Sequence, residues 1–256
     1  MAKIISFANQ KGGVGKTTSA VNVAASLGVL GHKVLLVDLD SQGNATSGLG
    51  IAKKDLKVTT KSVLVGEVSA KDAILETDFN NLWLMPANMS LAGAEIELLD
   101  LCEGDQLPYQ MKKVFAPIRD DYDYIIIDCP PSLGTLTINA FTASDGLVVP
   151  MQSEYYALEG LTQLVRSTKG IKERYNPNLN VVGILVTMYN PRLLLSMQVM
   201  HQLRKHYEDK LFDTNISRNV KLAEAPSFGR PVYYFDKSSK GAKEYLDVAK
   251  QLSERI

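Results

Sequence analysis

Hydrophobic positions along the chain fall into short, nearly continuous apolar runs separated by longer amphipathic stretches. The runs KIISFAN (3–9), KVLLVDLD (33–40), LWLMPA (82–87), YIIIDCP (124–130), GLVVPM (146–151) and NVVGILVTM (180–188) read as β-strands. Several are apolar throughout, as strands of a parallel sheet buried on both faces must be. The segments 16–30, 155–175, 192–208 and 239–254 read as helices. Strands alternating with helices predict an α/β fold, a doubly wound and mainly parallel sheet flanked by helices. The stretches 41–81 and 101–110 look irregular. No internal repeat, low-complexity tract or linker interrupts the pattern, so residues 1–256 are expected to form a single domain.

The first strand runs into NQKGGVGKTT (9–18) and the first helix follows, the setting a phosphate-binding loop requires. The stretch departs from G-x-x-x-x-G-K-[ST], because Gln10 stands where the first glycine belongs and Lys11 comes next. Gly12, Gly13 and Gly15 allow positive φ and close approach, so the N–H groups around Val14 can face an anion at a helix N-terminus. Lys16 is placed to neutralise the β- and γ-phosphates of ATP, Thr17 to offer its hydroxyl to Mg²⁺, and Thr18 to reach the α-phosphate. Spacing alone shows Lys11 only as a second cation near the anion.

In doubly wound sheets ligands bind beyond the carboxyl ends of strands. VDLDSQGNAT (37–46) puts Asp38 and Asp40 at one such end, and IIIDCPPS (125–132) puts Asp128 at another. Phosphoryl transfer needs a carboxylate to anchor the metal's water shell and a polar group to orient the attacking water, roles that suit Asp128 and Asp40. Asp38 is expected one layer back, holding a lysine or a metal ligand in place. A strand-end aspartate by itself is more often a cap or turn former; three beside a phosphate loop reverse that expectation.

Composition narrows the class. Of the 256 residues 45% are hydrophobic, enough for a sizeable core. No apolar run is long enough to span a membrane and no signal peptide precedes the first strand, so a cytoplasmic protein without membrane attachment is expected. Cys102 and Cys129 stand far apart, without the paired spacing of a metal or disulfide site. The net charge of zero hides an asymmetry: residues 1–159 hold 12 Lys/Arg against 19 Asp/Glu, and residues 160–256 hold 16 against 9. A basic half of that kind is either a solvated surface or a polyanion-binding face.

The KGGxGK[ST] loop resembles that of the deviant Walker A class of P-loop ATPases, and Lys11 matches the class's signature lysine, which reaches across a nucleotide-sandwich dimer to the partner's phosphates. Within that class the chain is similar over nearly its whole length to the ParA/Soj partition ATPases. The matching blocks are NQKGGVGKTT, VLLVDLDSQGNATSGLG (34–50), LAGAEIEL (91–98), YDYIIIDCPPSLGTLTINA (122–140), EYYALEGL (154–161) and SRNVKLAEAPSFGRPV (217–232). Ser41 and Ser217 stand where proline is frequent in the family. The resemblance implies slow ATP hydrolysis and an ATP-bound homodimer that coats double-stranded DNA without sequence preference. It also implies release when a ParB/Spo0J-type centromere-binding protein stimulates hydrolysis, hence a nucleoid-associated protein carrying chromosome or plasmid cargo. It directs the adenine to MYNPR (188–192) and ISRNV (216–220), with Asn219 as the base contact; Arg192 and Arg218 stand in these segments with Lys221 and Arg230 nearby, a rim from which side chains are expected to reach DNA phosphates.

Related functions lack their signatures here. A MinD-like spatial regulator ends in a detachable basic amphipathic helix, whereas Tyr245, Leu246, Ala249, Leu252 and Ile256 have the spacing of a core-facing stripe. Iron-protein-like relatives need paired cysteines. Operator-reading relatives carry an N-terminal helix-turn-helix domain, and the first strand here starts at residue 3. The rival from another class is a metabolic P-loop enzyme such as an amide-forming ligase, for which no acid-binding residues stand out.

Overall fold

The computed structural model describes residues 1–102 and 104–256. Among these, seven strands, β1 (Lys3–Phe7), β2 (Val34–Asp38), β3 (Leu75–Glu76), β4 (Leu82–Met85), β5 (Tyr124–Asp128), β6 (Gly146–Gln152) and β7 (Asn180–Thr187), form one sheet in the order β3-β4-β2-β5-β1-β6-β7. All neighbouring pairs are parallel except β3 and β4. The helices are α1 (Lys16–Val29), α2 (Asn44–Gly48), α3 (Thr60–Leu64), α4 (Ala94–Leu101), α5 (Gln110–Phe115), α6 (Thr135–Ala143), α7 (Tyr155–Arg174), α8 (Leu194–Tyr207), α9 (Val220–Glu224), α10 (Val232–Phe235) and α11 (Lys240–Arg255).

The central strands are apolar throughout because both their faces are covered. Ile5, Phe7 and Ile126 join the layer of α1 and α11, where they meet Val23, Leu27, Tyr245, Val248 and Leu252. Ile4, Ile125 and Ile127 belong to the opposite layer, with Phe115, Phe141, Leu161 and Leu203. The period of two along a strand assigns alternate residues to the two layers. In α11 the stripe predicted to face the core does so through Tyr245, Ala249 and Leu252, with Val248 beside them; Leu246 and Ile256 are half-buried.

Register places the chemistry. Asp128 is the parallel partner of Phe7 on one side and of Asp38 on the other. The carboxyl ends of β2, β5 and β1 therefore lie side by side, so two aspartates and the start of the phosphate loop meet at one edge.

The six strands and four helices read from the sequence are all present, with ends shifted by one to a few residues. The stretch 41–81 is less irregular than its composition implies: it holds α2, α3 and the two-residue strand β3, which pairs antiparallel with β4. In 101–110, a 3-10 helix covers Gly104–Tyr109, and position 103 lies outside the described residues.

The packing between β7 and the segment after α8 leaves no room at Gly183, where an added Cβ would fall 2.1 Å from the ring of buried Phe212. The Arg255 guanidinium closes the other side of that ring, 4.3 Å from its centroid. Gly183→Ala is expected to lower unfolding free energy by about 1–3 kcal/mol, the usual cost of overpacking, read as a lower urea midpoint.

Candidate nucleotide site

The loop between β1 and α1 takes the form its glycines permit. Gly13 and Gly15 have φ of 73° and 82°, and Gly15 is the N-cap residue of α1. A side chain at either position would be strained in this left-handed region. Lys16 opens the helix almost fully buried, and its Nζ donates to Lys11 O at 3.2 Å. Burial lowers the pKa of its ammonium, while the Asp128 and Asp40 carboxylates act in the opposite direction. The α1 N-terminus and the loop's N–H groups form a concave, anion-seeking surface with this lysine at its edge.

Lys11 behaves differently. Its side chain leaves the loop and pairs with Glu154, the N-cap residue of α7. Both side chains are about half exposed, at 47% and 49%. One lysine thus serves the loop from which it springs, and the other points away from it.

The carboxylates divide by their partners. Asp38 is fully buried but well bonded, with its Oδ2 accepting from Thr46 N at 2.8 Å and Thr46 Oγ1 at 2.7 Å, and its Oδ1 from Asp40 N at 3.2 Å. It therefore holds the α2 turn, and Thr46 Oγ1 passes the tie on by accepting from Ala87 N. Burial raises its pKa to about 6 against the pull of those hydrogen bonds. Asp40 is half-buried, its Oδ1 accepting from Gln42 N at 3.0 Å.

Asp128 is fully buried and neither of its oxygens has a protein donor. Burial, then the neighbouring Asp38 charge, pushes its pKa well up. The Thr17 hydroxyl is near enough to oppose that shift without closing a hydrogen bond. Two orphaned buried oxygens beside a hydroxyl and a phosphate loop fit Mg²⁺, which keeps several waters and takes few protein ligands besides phosphate oxygens. Among the described residues no group of three or more His, Cys, Asp or Glu side chains could hold a metal ion.

Beside the loop, a cleft of about 260 Å³ is lined by Thr18, Thr187, Met188, Ile216, Asn219 and Tyr245 among others. Both segments expected to hold adenine contribute to it. Asn219 Oδ1 caps α9 by accepting from Lys221 N at 2.8 Å, which leaves its amide NH₂ for a ligand. Tyr245, from α11, enters the cleft and bonds Ser19 Oγ at 3.1 Å. It was legible in the sequence only as part of the helical stripe, and Glu154 only as the first residue of a matching block.

The four basic residues expected at DNA are not equivalent. Arg192 and Arg218 are exposed on segments joined by an isolated parallel bridge between Tyr189 and Ser217. Arg230 is exposed on the far side of α1, in a cleft with Asn22 and Ser47. Lys221 is already engaged, paired with Glu224 at 2.9 Å and lying over the Phe235 ring.

The AAA domain family matches residues 2–181. The chain is 49% identical over 253 residues to the sporulation initiation inhibitor protein Soj of Bacillus subtilis, covering 99% of each chain. It is 44% identical to the chromosome partitioning protein ParA of Caulobacter vibrioides, covering 99% of this chain and 94% of that one. Among solved structures, the cobyrinic acid a,c-diamide synthase of Mycobacterium smegmatis with bound ADP and magnesium superimposes with a TM-score of 0.85 at 37% identity, covering 98% and 93%. No helix among the described residues is long and apolar enough to cross a membrane.

The raised pKa values of the two buried carboxylates have a definite sign. Each holds its proton more tightly folded than unfolded, so its contribution to stability is complete below about pH 4 and is lost as pH rises, through about 6 for Asp38 and likewise through its raised value for Asp128. Asp128→Asn is therefore expected to make the nucleotide-free protein more stable than wild type at pH 8 and to change little at pH 4. Urea unfolding at the two pH values checks this.

Proposed function

The chain belongs to the ParA/Soj family of P-loop partition ATPases, and we propose that it segregates chromosome or plasmid DNA through an ATP-bound sandwich dimer. In this reading the whole chain acts as one ATPase unit, the dimer binds double-stranded DNA without sequence preference, and a ParB/Spo0J-type partner releases it by stimulating hydrolysis. The observation that carries the reading is the division between the two lysines, Lys16 turned into its own loop and Lys11 turned out of it. A phosphate loop serving one subunit has no use for a second lysine directed to its rim; a loop facing its copy does.

The residues supply the chemistry as follows. The N–H groups from Gly12 to Thr18 hold the phosphates, and Lys16 balances the charge on the β- and γ-phosphates. The Thr17 hydroxyl and, through water, Asp128 hold Mg²⁺, with Asp38 fixing the neighbouring turn. Mg²⁺ supplies charge neutralisation of the transferring phosphoryl group. Asp40, half exposed at the rim, orients the attacking water. Lys11 exchanges Glu154 for the partner's phosphates, and the Asn219 amide meets the base.

The rival is an amide-forming ligase, since a protein 37% identical to this chain is described as a diamide synthase. It would use the same loop to activate a carboxylic acid. Rapid transfer of phosphate to a small carboxylic acid, in place of slow hydrolysis raised by DNA and partner together, would decide for it.

The lysines separate by mutation. Lys16→Ala is expected to abolish stable Mg-ATP binding, while Lys11→Ala keeps nucleotide and loses the ATP-dependent dimer, measured by light scattering. Asp40→Ala is expected to trap that dimer. In a salt titration on the trapped dimer, DNA affinity falls with a slope near −0.9 in log K per neutralised phosphate, so Arg218→Ala should weaken all duplexes alike and reduce the slope by roughly one or two units per dimer. Normal DNA binding by Arg218→Ala would exclude that basic face.

A further inference from the structure

An anion-binding loop must turn successive N–H groups toward one point, which turns the intervening carbonyls outward, and each of these then needs a donor. Two of the donors here come from outside the motif. Gly13 O accepts from Gln152 Nε2 at 2.9 Å, and Val14 O accepts from the Thr187 hydroxyl at 2.8 Å. Gln152 is the last residue of β6 and Thr187 the last of β7, and the two are register partners across the parallel ladder. Two consecutive carbonyls of the loop are thus held by one rung of the sheet.

Two further features mark this rung as built for the loop. Thr187 is 2% exposed, and its side chain lies 3.7 Å from where a Cβ on Gly15 would stand, so it packs directly against the residue that caps α1. Met188, the next residue, has a φ of 50°, a left-handed conformation costly for a side chain of its size. The Gln152 amide that holds Gly13 also lies 3.1 Å from Met188 Sδ. Such strain persists where surrounding contacts over-determine it, and it gathers at functional sites. The Thr187 hydroxyl has a second acceptor, Met151 O at 3.2 Å, but only one proton to give, and Val14 O is the nearer.

We infer that Gln152 and Thr187 are positioning residues for nucleotide. They act through the backbone, fixing the Gly13–Val14 and Val14–Gly15 peptide planes so that the N–H groups face the phosphates before any ligand arrives. Without them the carbonyls can rotate inward, and binding has to reorder the loop. The inference deepens the ATP-site reading proposed above and rests on it.

Thr187→Val keeps the shape and removes the donor, whereas Thr187→Ser keeps the donor and removes a methyl. Affinities for Mg-ADP and Mg-ATP are measured by titration calorimetry on the full chain, alongside melting temperature without nucleotide. Thr187→Val should bind both nucleotides roughly tenfold more weakly and Thr187→Ser within about twofold of wild type, the loss expected for one net hydrogen bond. Thr187→Val should melt no more than about 8 °C below wild type, since losing a buried hydrogen bond costs about 1–2 kcal/mol and each kcal/mol moves the melting temperature of a chain this size by about 2–4 °C. Gln152→Met, at a half-buried position where folding is not at stake, should weaken both nucleotides by roughly five- to tenfold. Wild-type affinity in Thr187→Val and Gln152→Met overturns the inference, as does a Thr187→Ser protein as weak as Thr187→Val. Should Thr187→Val fail to fold, Gln152→Met decides alone. The wild-type titration tests the underlying reading separately, because a chain that takes no Mg-ATP at all removes the ATP site itself.

Discussion

A carboxylate at the middle of the sheet, with no donor from the protein, is the constraint around which the rest is arranged. Asp128 ends β5 between β1 and β2, and its depth follows from having a strand on either side. An unpaired buried charge is costly, so the free protein favours the protonated form and keeps an ammonium close by. Lys16 and Thr17 can stand there only because the loop after β1 leaves the sheet at the same level. The two apolar layers in effect sustain this unfavourable group, since a seven-stranded sheet buries enough surface to tolerate it.

That arrangement ties distant parts of the chain to one helix. On α1, Asn22 donates to Thr18 O at 2.7 Å and accepts from Val232 N at 2.7 Å, while Ser19 meets Tyr245. The acidic first part of the chain supplies the phosphate loop and carboxylates; the basic last part supplies much of the cleft beside the loop and the helix packed along α1.

Legibility in the sequence followed the range of the interactions. The six longer strands announced themselves because parallel strands covered on both faces must be apolar throughout, and the phosphate loop because its chemistry is contiguous. Asp38 and Asp128 stood out because they end such strands, and Asp40 because it follows two residues after one. The strand β3 could not, since two residues have no period and exist as a strand only by pairing with Trp83 and Leu84. The helix α2 was hidden for a similar reason: its small polar residues are held by Asp38, a partner outside the helix. Gln152 lies 139 positions from Gly13, and only the order of the strands brings them together. The same is true of Glu154 and Lys11.

The bridge between Tyr189 and Ser217 continues the sheet by one rung past the end of β7. It makes a single strut of the two segments that bear Arg192 and Arg218, anchored at Thr187 and Ile216 to the floor of the cleft. The spacing between these guanidinium-bearing backbones is then set by the fold at that bridge. Any gripping surface built from them changes its gauge only by bringing up a second strut of the same width.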